Sequence, residues 1–392
     1  LDVSSNTALN FLDCRQNQLT SLDVSNNTAL ATLRCQNNQL TSLDVSNNTA
    51  LATLRCETNQ LTSLDVSNNT ALTNLVCGNN QLTSLDVSNN TALTNLDCRS
   101  NALNTLDISN NPALEELNCY STQLTSLDVS SNTALASLNC SYNQLTSLDV
   151  SANTSLTSLD CWSNQLTSLD VSNNTALTFL WINNNQFTYL NMKNGVTDAL
   201  TTFYVTNNSL TCIEVNAEDI DYATENWTYE NGNIDEGVTF QEIGCQTINI
   251  PADYSTIQAG IDAAYEGATV LVAAGTYVEN ILWPGNTNGI KLIGEDRETT
   301  IIDGGAQQTV IDISSSSIDT STLINGFTIT NGSGGSGGGI FCMYSSPSLV
   351  NVTISGNSAS DDGGGIYCSE SSPSLVNVTI SGNTASSDGG GF

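Results

Sequence analysis

Apolar residues recur along the first half of the chain with a period of 21. The string Leu22-Asp23-Val24-Ser25-Asn26-Asn27-Thr28-Ala29-Leu30 returns at Leu43, Leu64 and Leu85 and, with small changes, at Leu1, Leu106, Leu127, Leu148 and Leu169. A fixed period in the twenties marks a solenoid. One unit cannot bury its apolar face alone, so neighbours must stack to make a core. Each repeat has two similar halves, Leu22-Asp23-Val24-Ser25-Asn26-Asn27 and Leu33-Arg34-Cys35-Gln36-Asn37-Asn38. Both alternate apolar and polar positions and end in an Asn-rich turn, which predicts a short strand in each half. Leu with Val, or Leu with Cys, should point inward, and Asp23 and Arg34 outward. A 21-residue unit leaves no room for a helix beside two strands and two turns. The expectation is a flattened coil with strands on both sides.

Eight of the twelve cysteines, Cys14, Cys35, Cys56, Cys77, Cys98, Cys119, Cys140 and Cys161, sit 21 residues apart, and Ile182 takes the ninth place. Isoleucine there marks the column as core, with cysteine as a small apolar filler. Stacked strands lie ~4.8 Å apart, but in-register Cβ vectors run parallel and cannot form a disulfide dihedral. A ladder of buried free thiols is therefore expected. Asn17, Asn38, Asn59 and Asn80 should form a matching internal ladder that satisfies turn backbone groups. The Asn-x-Thr triplets fall out of the repeat itself and carry no weight as glycosylation signals.

Comparing the repeats with one another separates a constant half from a variable one. Asp2, Asp23, Asp44, Asp65, Asp86, Asp107, Asp128, Asp149 and Asp170 form one column, ended by Asn191. Carboxylates ~4.8 Å apart repel by roughly 0.9 kcal/mol even in water. The column should therefore raise some of its own pKa values or attract cations, and Ca²⁺ is the candidate. A solvated stripe bonded to neighbouring Ser and Asn is the alternative. In the variable half, the position before Cys reads Asp13, Arg34, Arg55, Val76, Asp97, Asn118, Asn139, Asp160, Trp181. The position after it reads Arg15, Gln36, Glu57, Gly78, Arg99, Tyr120, Ser141, Trp162, Asn183. Four of the chain's seven basic residues lie in these two columns. The candidate ligand-binding residues are Arg34, Arg55, Arg99, Tyr120, Tyr142, Trp162, Phe179 and Trp181. Aromatic rings there would stack on sugars or anchor a protein contact, and guanidinium groups would meet carboxylates or sulfates. Drift of unconstrained surface positions is the alternative.

The LxxLxCxxNxLxxLDVSxN strings, such as Leu30 to Asn48, resemble the 21-residue leucine-rich repeats of bacterial surface proteins. The likeness is closest to the cysteine-ladder repeats of the internalin J type, and similar repeats occur in secreted Bacteroidetes proteins. It covers residues 1–211 and implies an extracellular or cell-surface bacterial protein with an adhesive or ligand-binding role. The implied partner is an extracellular protein or polysaccharide. Residues 212–246, with Cys212-Ile213-Glu214-Val215, Trp227, Phe240 and Cys245, are similar to the C-terminal caps of such proteins. Cys212 and Cys245 lie off the ladder and are paired as a disulfide, whose closed loop adds ~3–4 kcal/mol on the chain-entropy account. Trp227 and Phe240 are expected in the cap core.

From residue 247 the pattern changes. Ser255-Thr256-Ile257-Gln258 fits a capping box that opens a short helix with Ile257, Ile261 and Ala264 on one face. Strand-like runs follow at Thr269–Ala273, Ile290–Ile293 and Thr300–Ile302. Gly337–Asp362 and Gly363–Asp388 are near copies 26 residues long. A coil of that length with several short strands predicts a parallel β-helix. The stretch from Tyr254 to Glu279 resembles the entry of pectin-lyase-like β-helices, which are right-handed, and the GGGIYC…NVTISGNxA strings are similar to bacterial surface β-helix repeats. The whole chain is thus read as all-β: a leucine-rich solenoid, a cap, and a β-helix over 247–392.

Composition narrows the function. The chain has 392 residues, 39 Asp plus Glu, 7 Lys plus Arg and no His, for a net charge of −32. That charge argues against nucleic acid and anionic membranes as partners. The lack of His removes Ser-His-Asp and Cys-His catalysis and imidazole metal sites. No apolar run is long enough to span a membrane. Both ends fall inside repeats, so the chain is read as a fragment. The leading expectation is a non-catalytic adhesion and ligand-binding protein. The alternatives are a carbohydrate-active protein whose leucine-rich part docks on a polysaccharide, and a structural spacer.

Overall fold

The computed structural model describes residues 1–285, 287–314 and 318–392. The chain divides into two compact units, Leu1–Glu242 and Ile243–Phe392.

In the first unit the Cys halves form a ten-stranded parallel sheet of three-residue strands, from Phe11–Asp13 to Thr202–Tyr204. The register is the sequence period itself: Leu33 pairs with Leu54, and Arg34 with Arg55. From the second strand to Phe179–Trp181 the middle Leu is buried, and its neighbours, Val76 apart, are at least partly exposed. The thiols continue the inner row, with the Cys35 N–H donating to the Arg55 carbonyl at 2.8 Å. All eight ladder cysteines are buried and free.

The Asn ladder forms as expected. The Asn38 amide nitrogen donates to the carbonyls of Cys14 (3.1 Å) and Cys35 (3.0 Å), while its oxygen accepts from the Leu19 N–H. Thr122 replaces Asn in one coil and donates through its hydroxyl to the Cys119 carbonyl at 2.7 Å.

The Asp half departs from expectation. Strands on that side occur only at Ser168–Asp170, Tyr189–Asn191, Cys212–Glu214 and Thr239–Gln241. In the earlier coils a second Asn ladder takes the place of backbone pairing. The Asn48 side chain, fully buried, donates to the carbonyls of Val24 (3.0 Å) and Asn27 (2.8 Å) in the preceding coil. The Asn27 and Leu30 N–H groups close turns on Val24 and Asn27 within their own coil. With those groups occupied, little is left for a strand ladder.

At the end of this unit Trp227 stacks on Phe203 with ring centroids 4.0 Å apart and leans on Phe240 at 5.8 Å. This is cap core, not a ligand cage.

The second unit is a parallel β-solenoid. One sheet runs through Thr247–Ile250, Thr269–Val272, Lys291–Gly294, Leu323–Asn325, Ser348–Val350 and Ser374–Val376. Further parallel sheets follow round the coil, and the 26-residue copies stack in register, Cys342 on Cys368 and Leu349 on Leu375. The helix spans Ile257–Asp262 and buries Ile257 and Ile261. Its cap differs from the box read in the sequence. Thr256 is the N-cap and accepts from the Ala259 N–H, and the acid is Glu279, from elsewhere in the unit, which accepts from the Ile257 and Gln258 N–H groups at 3.0 Å each. Triple glycines mark tight stacking: a Cβ on Gly338 would lie 2.2 Å from the Ser358 carbonyl oxygen.

Candidate recognition face

A row of touching aromatic rings runs along one side of the ten-stranded sheet, from the turns after its strands at Tyr120, Tyr142 and Trp162 to the strand residues Phe179, Trp181 and Tyr204. Tyr120 meets Tyr142 edge-on at 5.3 Å, and Tyr142 meets Trp162 edge-on at 4.3 Å. Trp162 and Trp181 stack at 5.6 Å with planes 12° apart, and Trp181 contacts Tyr204 at 5.9 Å and Phe179 at 6.3 Å. Five of the eight candidates thus belong to one connected row. Tyr204 also belongs to it and escaped the sequence reading. It pairs in register with Trp181, but 23 residues separate them, so the 21-residue count passes over it. Tyr142 and Tyr204 are exposed, and the two tryptophans are half-buried. Tyr142 has φ 54°, the left-handed region that costs a bulky residue energy. The same turn position has positive φ in every coil, from Gln16 to Asn184, so the conformation belongs to the repeat.

The arginines do not join this row. Arg34 lies over the Phe11 ring at 5.5 Å. Arg55 is paired with Glu57 at 2.9 Å and Arg99 with Asp97 at 3.4 Å. Beside Arg55 the face dips over Val76, Asn95 and Asn118. The resulting recess of about 420 Å³ is lined by polar side chains, among them Asn74, Asn95, Asp97 and Glu116. Burial pushes the Asp97 carboxyl up, despite the opposing Arg99 guanidinium. Burial likewise raises Asp160, against the hydroxyl of Ser141 that donates to it.

The Asp column behaves opposite to the expected repulsion. Each of its carboxylates accepts from the N–H of the Ser two residues on, as Asp23 does from Ser25 at 2.9 Å. The Ser side chain and backbone hold Asp23, Asp44, Asp65, Asp86, Asp107 and Asp128 below the usual carboxylate range, and neighbouring carboxylates are a lesser influence where they register. Among the described residues no group of three His, Cys, Asp or Glu side chains converges as a metal site. Asp149 and Asp170 share the Ser contact, at 2.8 Å each.

Burial raises the ladder thiols, Cys56 to about 12, so they stay protonated and inert at neutral pH. Cys212 and Cys245 are both disulfide-bonded.

No protein-family model matches the sequence, and no characterised relative matches it. Solved structures do. The functional domain of InlJ from Listeria monocytogenes, described as including a cysteine ladder, is 28% identical with a TM-score of 0.50, covering 83% of this chain and 75% of that one. A leucine-rich repeat protein of Leptospira interrogans is 22% identical with a TM-score of 0.50, covering 59% and 62%. An internalin, InlF, from Listeria monocytogenes is 22% identical with a TM-score of 0.45, covering 62% and 85%. The fold is an all-β parallel solenoid with leucine-rich repeat neighbours. No helix among the described residues is long and apolar enough to cross a membrane.

Proposed function

We propose that this chain is a protein-binding repeat scaffold that works outside the bacterial cell, as a secreted or surface-held adhesin, without covalent chemistry. The observation that carries this reading is the row Tyr120–Tyr142–Trp162–Trp181–Tyr204 along the ten-stranded sheet and the turns that follow its strands. Large, stiff aromatic side chains gathered on one face are the usual anchors of protein interfaces. The disulfide state of Cys212 and Cys245 fits an oxidising compartment. The likeness to the functional domain of InlJ, with its cysteine ladder, supports the repeat-scaffold part of the reading. The second unit is a right-handed, pectin-lyase-like β-helix that extends the scaffold.

The test uses the labelled chain against arrays of extracellular proteins and of glycans, with Trp162→Ala and Trp181→Ala beside it. Protein ligands weakened at least tenfold by either change support the reading. Ligands indifferent to both changes refute it. Glycan ligands lost with the same rings would replace the protein partner by a polysaccharide.

A further inference from the structure

The five rings from Tyr120 to Tyr204 present more than apolar surface. The indole N–H groups of Trp162 and Trp181 have no acceptor among the described residues, and neither is buried. The hydroxyls of Tyr120, Tyr142 and Tyr204 have no partner there either. An indole can only donate and a phenol donates readily, so the row is an edge of donors that solvent alone satisfies. The inner rings have ring neighbours on both sides, Tyr142 at 5.3 and 4.3 Å and Trp181 at 5.6 and 5.9 Å. Their edges and polar tips, more than their faces, meet a partner, which disfavours a stacked sugar. The partner that fits brings acceptors without competing donors. An α-helix spends its carbonyls internally. An extended strand brings an N–H with every carbonyl. A polyproline II segment has free carbonyls and, at each proline, no N–H. The dimensions agree. The row follows five neighbouring strands, from Glu116–Asn118 to Thr202–Tyr204, or ~19 Å at ~4.8 Å per step. A polyproline turn of three residues rises about 9.3 Å, close to two such steps, so about six residues cover the row.

Charge narrows the partner further. Between Arg99 and Lys193 the chain carries seven carboxylates and no cation. One of them, Asp160, stands in register beside Trp181. A segment with positive flanks is therefore drawn to this stretch, and an acidic one is repelled. We propose that the ring row binds a proline-rich, positively charged segment of the partner in the polyproline II conformation, its carbonyls accepting from the indole and phenol groups. The inference deepens the scaffold reading and rests on it. A stiff segment of this kind loses little conformational entropy on docking. Aromatic-lined surfaces are a recurring means of holding it.

The experiment is an NMR titration of the full chain, read at the indole N–H signals of Trp162 and Trp181. The probe is acetyl-Arg-Pro-Pro-Pro-Pro-Pro-Pro-amide. One twin has alanine for every proline, and another has glutamate for the arginine. The expected result is saturable shifts of both signals with the probe and roughly fivefold weaker binding of the alanine twin, on the scale of a hydrogen bond or two. The glutamate twin should bind more weakly too, by a margin that shrinks as salt rises. Trp162→Phe keeps a ring and removes the donor, and should weaken the probe about fivefold at the Trp181 signal. Equal affinity for the probe and its alanine twin overturns the proposal. So does a Trp162→Phe chain that binds the probe as tightly as the parent, or saturation by a cello-oligosaccharide where the probe is silent. A glutamate twin that binds as well as the probe overturns the positive charge assigned to the segment. Failure of the scaffold reading looks different: array ligands then ignore Trp162→Ala and Trp181→Ala. A silent proline probe with ring-dependent array ligands sinks this inference alone.

Discussion

Trp162 and Trp181 stack nearly parallel, 5.6 Å apart, although one follows its ladder residue and the other precedes it. The stack ties two neighbouring coils through their outward faces. Such pairs are worth roughly 0.5–1.5 kcal/mol beyond area burial. A double-mutant cycle of Trp162→Ala and Trp181→Ala, read by urea unfolding, should give a coupling of about 1 kcal/mol. Additive losses would mean the rings do not meet in solution.

The two Asn positions of the S-N-N turn should respond very differently. Asn90 is fully buried and donates to the carbonyls of Val66 and Asn69. Asn90→Ala strands both and should cost about 2–3 kcal/mol. Asn89 is exposed and reaches the Ser67 carbonyl at 3.3 Å. Asn89→Ala should cost under about 0.5 kcal/mol. Urea midpoints of the two variants decide it.

Thr58 and Tyr142 occupy the same turn position at φ 57° and 54°, where Asn stands in four other coils (Asn37, Asn79, Asn184 and Asn207). Asn tolerates the left-handed region and β-branched Thr does not. Thr58→Asn should raise thermal stability by about 0.5–1 kcal/mol. Tyr142→Asn should relieve similar strain while weakening the ligands that depend on the ring row. A stabilised variant with unchanged binding would remove Tyr142 from the recognition surface.

The pH response should have two edges. Carboxyls such as Asp65 titrate below their unfolded value, the Ser67 contacts leading. Their stabilisation is present above about pH 4 and is lost as pH falls through the lower folded pKa. Carboxyl-carbon NMR should show Ser67→Ala moving the Asp65 titration back up; no movement would discard the Ser contact as the cause. The buried thiols lie on the other side. Their folded pKa values are raised, so stability is intact below the unfolded thiol pKa and declines as pH climbs beyond about 9.

The period, the inward columns and the coil register could all be read from the sequence. Every in-register pair in the first eight Cys-half strands, Leu33 on Leu54 among them, is separated by one repeat. The strands predicted for the Asp halves form in the last coils, such as Ser168–Asp170, and not in the earlier ones, because alternation cannot show that Asn48 supplies the hydrogen bonds that a ladder would use. The aromatic candidates were legible as departures from an otherwise repetitive column, but Tyr204 was hidden by the longer final spacing. Val76 and Gly78 were equally visible as outliers. What spacing does not encode is that the Arg99 side chain of the next coil packs over Gly78, while the recess opens beside Val76. The acid for the short helix was missed for the same reason, since Glu279 reaches Ile257 from outside the helix.

Which strand faces partners depends on which residues face inward, and the eight ladder sulfurs report that directly. Native protein treated with an excess of Ellman's reagent, then mapped by mass spectrometry, should leave Cys14, Cys35, Cys56, Cys77, Cys98, Cys119, Cys140 and Cys161 unmodified until denaturant opens the coils, with half-buried Cys368 open to slow attack. Prompt labelling of the ladder cysteines, or disulfides linking one coil to the next, would contradict the register and the recognition face drawn from it.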